Sequence, residues 1–323
     1  MKAAIRDRFG SPDVVELREI EKPTPGDDEV LVRVRAAGLN LLDWYAVTGR
    51  PWVGRAQMGL RGPKDDRLGV DYAGTVEAVG KDVEQFQPGD DVFGGRNGSF
   101  AEYVVAKADR SIVPKPVGVV FEQAATVGVA GITALQGLRD KGGLQPGQKV
   151  LINGASGGVG TFAVQIAKAL GGEVTGVCST RNVDLVRSLG ADHVVDYTQE
   201  DFTRSGERYE LLFDVAGSRS WRECKRVLAP DATLVVAGGP RTNRLLGPLG
   251  SVIEKRLGAM IGSRKVVFYL AKFNKEDMEV LRELLETGKV TPAIDRQYEL
   301  SEIAAALEYM GEGHCRSKIV LTM

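Results

Sequence analysis

The residues with the clearest capacity for chemistry form a turn of small side chains near the middle of the chain. The segment NGASGGVG, residues 153–160, follows an apolar run and precedes an amphipathic helical pattern. Backbone N–H groups at such a turn can approach a pyrophosphate closely, and the N-terminus of the following helix adds a favourable dipole. A dinucleotide site is therefore predicted at Ser156, Gly157, Gly158 and Val159.

The fingerprint is not complete, because Ala155 replaces its first glycine and leaves the pattern A-x-G-x-x-G. The context supports it: a strand pattern precedes the turn, and a second strand pattern, 173–178, follows the helix at the expected distance. A tight turn that binds no ligand remains the alternative.

The residues after that second strand indicate which dinucleotide binds. Sites specific for NAD carry an acidic residue there, about 20 residues after the glycines. This chain has Ser179, Thr180, Arg181 and Asn182 instead. A guanidinium and hydroxyls pair well with a 2'-phosphate, which an acid would repel. The sequence therefore predicts NADPH, unless Arg181 is only a solvated residue at a helix start.

The elements around these residues change character along the chain. Up to about residue 120, short β-rich runs alternate with Gly, Pro and Asp turns, which is typical of a barrel-like domain. Strand and helix patterns then alternate, which indicates βαβ units and a parallel sheet of about six strands. We predict an α/β protein with a mostly β domain at 1–121 and 292–323 and a doubly wound dinucleotide-binding domain at 122–291.

Composition and charge narrow the class of protein. The 323 residues are 43% hydrophobic and 26% charged, as expected for a globular protein. A formal net charge of −1 gives no reason to expect binding to nucleic acid or to an anionic membrane. The N-terminus lacks a secretory signal pattern and the three cysteines stand singly, so the predicted location is the cytoplasm. No apolar run reaches the roughly 20 residues of a membrane span.

The order of motifs resembles the medium-chain dehydrogenase/reductase superfamily over nearly the whole chain. The motifs are NGASGGVG, CSTRN, LGADHVVDY, LLFDVAG, VVAGG and the terminal SKIVL. The resemblance implies a GroES-like first domain and a Rossmann domain. Its zinc-independent quinone oxidoreductase group, which includes ζ-crystallin, is the most similar.

The resemblance also bears on metal binding. Where zinc-dependent members carry their first ligand this chain has Asn40, and where they carry Gly-His-Glu it has GVDYAG with Asp71. No cysteine precedes Cys178, and the histidines, His193 and His314, lie outside the first 120 residues. We therefore expect no metal site. Without zinc to acidify an alcohol, reduction of a quinone or an α,β-unsaturated carbonyl is favoured over alcohol oxidation.

The pattern N-x-x-D-W-Y resembles the segment that the quinone oxidoreductase group places beside the nicotinamide. Asn40, Asp43 and Tyr45 are carried over as catalytic residues. The Asn40 amide or the Tyr45 hydroxyl is expected to stabilise a developing oxyanion. The alternative for Asp43 is that it only caps the turn into a helix.

The same resemblance adds further coenzyme-binding residues. Val129 and Thr133 should flank the nicotinamide, and Tyr197 should lie against the adenosine phosphate. Lys318 is included as well, although it follows Arg316 and Ser317 rather than the more usual glycine. The strand ends expected to line the coenzyme site are Val215, Gly238, Gly239, Phe268, Tyr269 and Leu270.

The predicted function is an NADPH-dependent reductase acting on a small-molecule quinone or enone. An enoyl reductase or alcohol dehydrogenase-like activity and a non-catalytic NADPH-binding adaptor remain as alternatives. A homodimer is expected, because VVFYLAKF has the pattern of a terminal strand and the family commonly pairs such edges. Residues 240–264 are either a lid over the substrate or a packed surface helix.

Overall fold

The computed structural model describes residues 1–239, 249–260 and 262–323. The chain divides into two compact units, residues 1–132 with 272–323 and residues 133–271. The strands, in chain order, are β1 Lys2–Ile5, β2 Glu16–Glu19, β3 Glu29–Leu39, β4 Asp71–Val79, β5 Asp91–Gly95, β6 Tyr103–Lys107, β7 Ile112–Pro114, β8 Lys149–Asn153, β9 Glu173–Cys178, β10 His193–Asp196, β11 Tyr209–Asp214, β12 Leu228–Val236, β13 Lys265–Phe268, β14 Ile294–Glu299 and β15 Lys318–Thr322. The helices are α1 Leu41–Thr48, α2 Arg55–Met58, α3 Phe121–Ala124, α4 Gly128–Leu135, α5 Gly158–Ala169, α6 Val183–Ser188, α7 Trp221–Val227, α8 Leu249–Ala259, α9 Lys275–Glu286 and α10 Ile303–Glu312.

The first unit is built around a mostly antiparallel sheet in the order β14-β15-β3-β4-β5-β7, with β6 also on β3. β3 organises this sheet because it is long: its first half pairs with β6, its second half with β15, and β4 runs along both. Its sequence EVLVRVRAAGL alternates from Val32 to Arg35, where Val32 and Val34 are buried while Arg33 and Arg35 are exposed.

The C-terminal strand completes the first unit, as the sequence predicted. β15 pairs antiparallel with β3, with Ile319 opposite Leu39. Ser317, just before β15, has a φ of 57°. This left-handed conformation suits glycine better than serine, which explains why glycine is the more usual residue there in the family.

The second unit is a wholly parallel sheet in the order β10-β9-β8-β11-β12-β13. Its central strands are apolar and buried because a parallel sheet is covered on both faces. The chain leaves β8 towards β9 and β10 and returns to β11 on the other side, so the switch point lies between β8 and β11. The doubly wound parallel sheet and the GroES-like first domain are both confirmed.

The compact units divide the chain at other places than the predicted domains. Residues 122–132 and 272–291 belong to the first unit, whereas the sequence pattern placed them in the second. The buried face of α9 explains part of this difference: Leu281 packs so closely on Gly131 that a Cβ there would lie 3.1 Å from it. A short 3₁₀ turn, residues 300–302, precedes α10, and Glu299 forms a capping box with Glu302 at its start.

Candidate active site

A buried polar cluster in the first unit contains two of the three predicted catalytic residues. Asn40 lies between β3 and α1 as the N-cap of α1, and its backbone N–H donates to Asp43 Oδ2 at 2.7 Å. Asp43 therefore caps α1, and this contact does not decide whether it also has a catalytic role. Asn40 is 7% and Asp43 3% exposed, so both lie inside the unit.

Asp71 lies at the centre of this cluster. Its Oδ2 accepts from Asn40 Nδ2 at 2.9 Å, and its Oδ1 accepts from the backbone N–H of Val129 at 2.8 Å. A Cβ at Gly128 would lie only 2.4 Å from Asp71 Oδ1, so only glycine permits this approach. The carboxylate of one β4 residue thus ties the start of α1 to the first turn of α4.

Lys318 supplies the positive charge of the cluster. Its ammonium donates to Asn40 Oδ1 and lies 3.7 Å from Asp71 Oδ2. Lys318 is 2% exposed and Asp71 is fully buried. These contacts differ from the expected direct role of Lys318 in coenzyme binding, because its ammonium faces protein groups.

Burial shifts the pKa of each ionisable group in the cluster. Desolvation raises the pKa of Asp43 to about 7, and the nearby charge of Asp71 raises it further. Desolvation also raises the pKa of Asp71, which the charge of Lys318 opposes. The pKa of Lys318 is lowered, again mainly by desolvation, although both carboxylates oppose the shift. The cluster therefore holds more charge than its burial would favour, and Asp43 changes its protonation state near neutral pH.

Tyr45, the third predicted catalytic residue, lies on the same helix as Asp43. Its ring meets that of Trp44 edge to face, with the centroids 5.6 Å apart. Tyr45 is half-buried, unlike the nearly enclosed Asn40 and Asp43. Of the three side chains, Tyr45 is the one that reaches solvent most.

In the second unit the glycine-rich turn connects β8 to α5. The backbone N–H of Ala155 donates to Val177 O at 3.0 Å, which places the turn beside the end of β9. A Cβ at Gly160 would lie 2.0 Å from Gly154 O, so glycine is required there for α5 to begin against the strand. A Cβ at Gly157 would come no closer than 3.5 Å to any of its neighbours. The turn therefore leaves room above Gly157 at a helix N-terminus, as a phosphate requires.

The residues that follow β9 and β10 lie together at the same edge of the sheet. Asn182 Nδ2 donates to Ser156 Oγ at 3.0 Å and to Ser179 Oγ at 3.2 Å. The backbone N–H of Tyr197 donates to Cys178 O at 3.0 Å, and the Tyr197 side chain is exposed. Thr180 follows Ser179 and donates from its hydroxyl to Asp196 at 2.5 Å, whereas Arg181 is exposed.

Asn182 Oδ1 provides a test of whether a dinucleotide fits. This buried oxygen accepts no hydrogen bond from any described residue. A buried acceptor without a donor is costly, and a ribose hydroxyl is a donor of the missing kind. A ribose hydroxyl at this oxygen and a phosphate above Gly157 would each meet a group that fits it, so these residues pass the test for a dinucleotide.

The ends of β11 and β12 meet beside the glycine-rich turn. The backbone N–H of Val215 donates to Asn153 O at 3.0 Å, and that of Gly238 to Asp214 O at 3.2 Å. A Cβ at Gly238 would lie 2.1 Å from Val215 O, so these two predicted residues are in direct contact. Gly239 follows and is half-buried.

The residues at the end of β13 face different surroundings. The Tyr269 hydroxyl donates to the backbone oxygen of Thr133, and burial raises the pKa of Tyr269. Phe268 packs on the apolar core of the second unit, whereas Leu270 is 70% exposed. Of these three predicted residues, Tyr269 is thus held to α4 through Thr133.

A buried ion pair attaches α8 to the second unit. Lys255 Nζ lies 3.2 Å from Asp214 Oδ2, and both residues are fully buried. Asp214 Oδ1 accepts from Asn153 Nδ2 and from the N–H of Gly217, each at 2.8 Å. For the segment 240–264 the sequence left open a lid or a packed surface helix. Its described part forms α8, which the ion pair packs against the rest of the unit. Residues 240–248 and 261 lie outside the described residues.

No local sequence pattern predicted either of these two buried ion pairs. Asp71 stood out only as a residue in place of a metal-ligand motif, and Lys255 only as one charge in an amphipathic segment.

Across the described parts of the chain, no group of three or more His, Cys, Asp and Glu is arranged to hold a metal ion. No helix in those parts is long and apolar enough to cross a membrane.

Comparison with known proteins agrees with this architecture. Residues 26–117 match the family model described as alcohol dehydrogenase GroES-like domain, and residues 189–321 match the one described as zinc-binding dehydrogenase. A solved structure of the quinone oxidoreductase from Coxiella burnetii superposes with a TM-score of 0.85 at 30% identity, covering 100% of this chain and 99% of that one.

Relatives in sequence extend over the same length. The chloroplastic quinone-oxidoreductase QR1 of Triphysaria versicolor is 34% identical over 99% of this chain and 98% of its own. The trans-enoyl reductase pgmF of Aspergillus terreus is 33% identical over 92% of this chain and 86% of its own. Because these matches span both units and their motifs, the chain belongs to the medium-chain dehydrogenase/reductase superfamily, alongside proteins named quinone oxidoreductase.

Proposed function

We propose that the protein is an NADPH-dependent reductase that acts on a quinone or an α,β-unsaturated carbonyl without zinc. The observation that carries the proposal is the edge of the second unit, where the glycine-rich turn lies beside the end of β9 and where β9 is followed by Ser179 and Arg181 rather than by an acid. Relatives named quinone oxidoreductase and trans-enoyl reductase support the two classes of acceptor.

In this proposal the second unit holds most of the coenzyme. Ser156, Gly157, Gly158 and Val159 bind the pyrophosphate through backbone N–H groups at the start of α5. Asn182 Oδ1 accepts from a ribose hydroxyl. The side chains of Ser179, Arg181 and Tyr197 bind the 2'-phosphate, next to Thr180, whose hydroxyl donates to Asp196.

The nicotinamide end is assigned to Val129 and Thr133 on α4 and to the strand ends after β11, β12 and β13. When bound, NADPH supplies the hydride. The remaining task of the protein is to stabilise the oxyanion that forms on the acceptor and to deliver a proton.

The hydrogen bonds of Asn40 favour a different residue for the oxyanion. Both hydrogens of the Asn40 amide have acceptors within the protein, Asp71 Oδ2 and the backbone oxygen of Gly38. Tyr45 is half-buried and carries a hydroxyl, and it is the other group that the family resemblance implies for this role, so we assign oxyanion stabilisation to Tyr45. Asp43, with a pKa of about 7, is suited to hold the proton that is delivered through water or Tyr45.

The donor set argues against a zinc-dependent alcohol dehydrogenase. The positions that carry ligands in zinc-dependent members hold an amide, Asn40, and a carboxylate, Asp71, that is already paired with Lys318. Zinc is usually bound by cysteine, histidine and carboxylate groups that converge in space. We also propose a homodimer. Because the three cysteines stand singly in the sequence, we further propose a reducing compartment such as the cytoplasm.

Turnover of NADPH with a panel of acceptors tests the proposal. Purified protein is mixed with NADPH and with quinones, enones or 2-enoyl thioesters, and the loss of reduced nicotinamide absorbance is followed. Oxidation with a quinone or an enone is expected. Tight NADPH binding without turnover would instead support a binding adaptor, and activity that requires stoichiometric zinc by elemental analysis would refute the metal-free mechanism.

A further inference from the structure

The first unit encloses an ammonium group that the proposed reaction does not use directly. Lys318 begins β15, is 2% exposed, and lies among groups from β3, β4 and α1. An enclosed ammonium is costly unless it is paired, and here the buried Asp71 carboxylate lies 3.7 Å away. The position of this charge affects how Asn40 and Asp71 are oriented.

Lys318 determines which way the Asn40 amide faces. The amide oxygen accepts from the ammonium, and the amide nitrogen donates to Asp71 Oδ2 and to Gly38 O at 2.9 and 3.3 Å. A flipped amide would turn its NH₂ group towards the ammonium and its oxygen towards the carboxylate. Both contacts would be repulsive, so the cation and the anion together select one orientation.

Asp71 extends the same network to α4. Its Oδ2 faces Lys318 and Asn40, while its Oδ1 accepts from the backbone N–H of Val129 at 2.8 Å. Gly128 allows the helix start to approach the carboxylate this closely. The position of the first turn of α4 therefore depends on a carboxylate whose charge is balanced by Lys318.

We propose that Lys318 is a positioning residue of the reductase site, the internal cation that orients Asn40 and, through Asp71, fixes the first turn of α4. Its effect on turnover rests on the proposed function, because α4 carries Val129, which is assigned to the nicotinamide. Lys318 acts through these neighbours and does not contact coenzyme or substrate.

Enzyme kinetics of designed variants test the catalytic part of this proposal. Lys318→Met removes the charge but keeps most of the volume, and is expected to lower kcat roughly tenfold to a hundredfold, as small displacements in an active site do. The double variant Lys318→Met/Asp71→Asn removes both charges of the buried pair, so it should regain thermal stability but not kcat. The control Lys107→Met breaks an exposed pair with Asp28 in the same sheet and should leave kcat unchanged.

A double-mutant cycle with Asn40 separates positioning from general stabilisation. If Lys318 acts by orienting the Asn40 amide, Asn40→Ala in the Lys318→Met background should change kcat by less than about twofold beyond the single variant. Effects that multiply independently would overturn the proposal. So would a Lys318→Met/Asp71→Asn variant with regained stability and a wild-type kcat.

Hydrogen–deuterium exchange tests the structural part of the proposal, the fixing of the first turn of α4, and requires no measurement of turnover. In Lys318→Met, exchange at Val129 should become faster relative to the interior of β4, whereas Lys107→Met should leave it unchanged. Unaltered exchange at Val129 would overturn the proposal. If the wild-type protein turned over no acceptor, the proposed function would fail while this exchange measurement still decided the role of Lys318.

Discussion

At the scale of single residues, Asp43 links the first turn of α1 to a buried set of charges. Desolvation raises its pKa to about 7 and the charge of Asp71 raises it further, against the effects of the Asn40 N–H, Lys318 and Arg6. The folded protein therefore binds more protons at this carboxyl than the unfolded chain does. Its contribution to the free energy of unfolding is greatest at low pH and is lost as the pH rises through about 7.

The variant Asp43→Asn should remove this dependence on pH. Chemical denaturation between about pH 5 and pH 8 is expected to show the variant gaining stability relative to wild type as the pH rises. Asp82→Asn, at an exposed position in the same unit, should show no such trend. A stability difference between Asp43→Asn and wild type that is constant with pH would show that Asp43 is ionised throughout.

Arg181 is expected to set the preference between coenzymes, because it follows β9 where an acidic ribose ligand is missing. A charge-assisted hydrogen bond is worth roughly 1.5 to 3 kcal/mol, and about 1.4 kcal/mol corresponds to tenfold in affinity. Arg181→Ala should therefore weaken NADPH binding roughly tenfold to a hundredfold in a fluorescence titration and leave NADH nearly unaffected.

Arg187→Ala is a suitable control for Arg181, since Arg187 is also exposed and pairs with Asp184 on α6. It should change the affinity for neither coenzyme. Equal weakening of NADPH and NADH by Arg181→Ala would mean that Arg181 has a structural role. The case for NADPH would then depend on Ser179 and Tyr197.

Sequence reasoning reached these side chains to different degrees. Ser156 lies in the glycine-rich turn, and Ser179 and Asn182 follow β9. Both segments carry recognisable patterns, and the structure places the three residues in contact. The Asn40 and Lys318 contact joins residues 278 positions apart, which no local pattern reveals. A positively charged residue in a terminal strand is usually exposed, so burial of Lys318 required the tertiary structure.

At the scale of elements, the strands of the parallel sheet were predictable because each is a short apolar run that must be buried on both faces. The sequence did not allow us to predict the unit to which α9 belongs. Its apolar stripe, with Met278, Leu281 and Leu285 buried, would suit a surface of either unit. Periodicity identifies the buried face of a helix but does not identify what that face packs against.

The attachment of α8 leads to a prediction about stability. Lys255 is the charge partner of Asp214 Oδ2, which receives no hydrogen bond from any described residue. Lys255→Met would leave this buried carboxylate unpaired and should cost about 3 to 5 kcal/mol of unfolding free energy. Lys255→Met/Asp214→Asn should recover much of this loss in chemical denaturation, because no buried charge remains unpaired.

Lys168→Met provides the matched control for α8, because Lys168 forms a partly exposed pair with Asp192 at 2.8 Å in the same unit. Its removal should cost less than about 1 kcal/mol. A Lys255→Met variant as stable as Lys168→Met would contradict a docked α8 and would favour a lid that opens readily.

At the scale of the whole molecule, the edge of the coenzyme sheet predicts a homodimer. β13 pairs with β12 on one side and is the last strand of the sheet in the part of the chain that the structure describes. Leu270, two residues beyond β13, is 70% exposed. An open strand edge with an exposed apolar side chain invites association unless it is covered. Light scattering should therefore give twice the 34.8 kDa mass of one chain at micromolar concentration.

The substitution Leu270→Lys tests whether this edge forms the dimer interface. A buried, unpaired ammonium in the interface would oppose association, so the variant should shift towards the monomer mass. Val117→Lys, at a fully exposed apolar residue of the first unit, should remain a dimer. A wild-type monomer would refute the dimer, and a dimeric Leu270→Lys would place the interface elsewhere. Because Leu270 is also assigned to the coenzyme site, an NADPH titration of the same variant separates the two roles: weaker binding in a protein that is still dimeric would indicate contact with coenzyme alone.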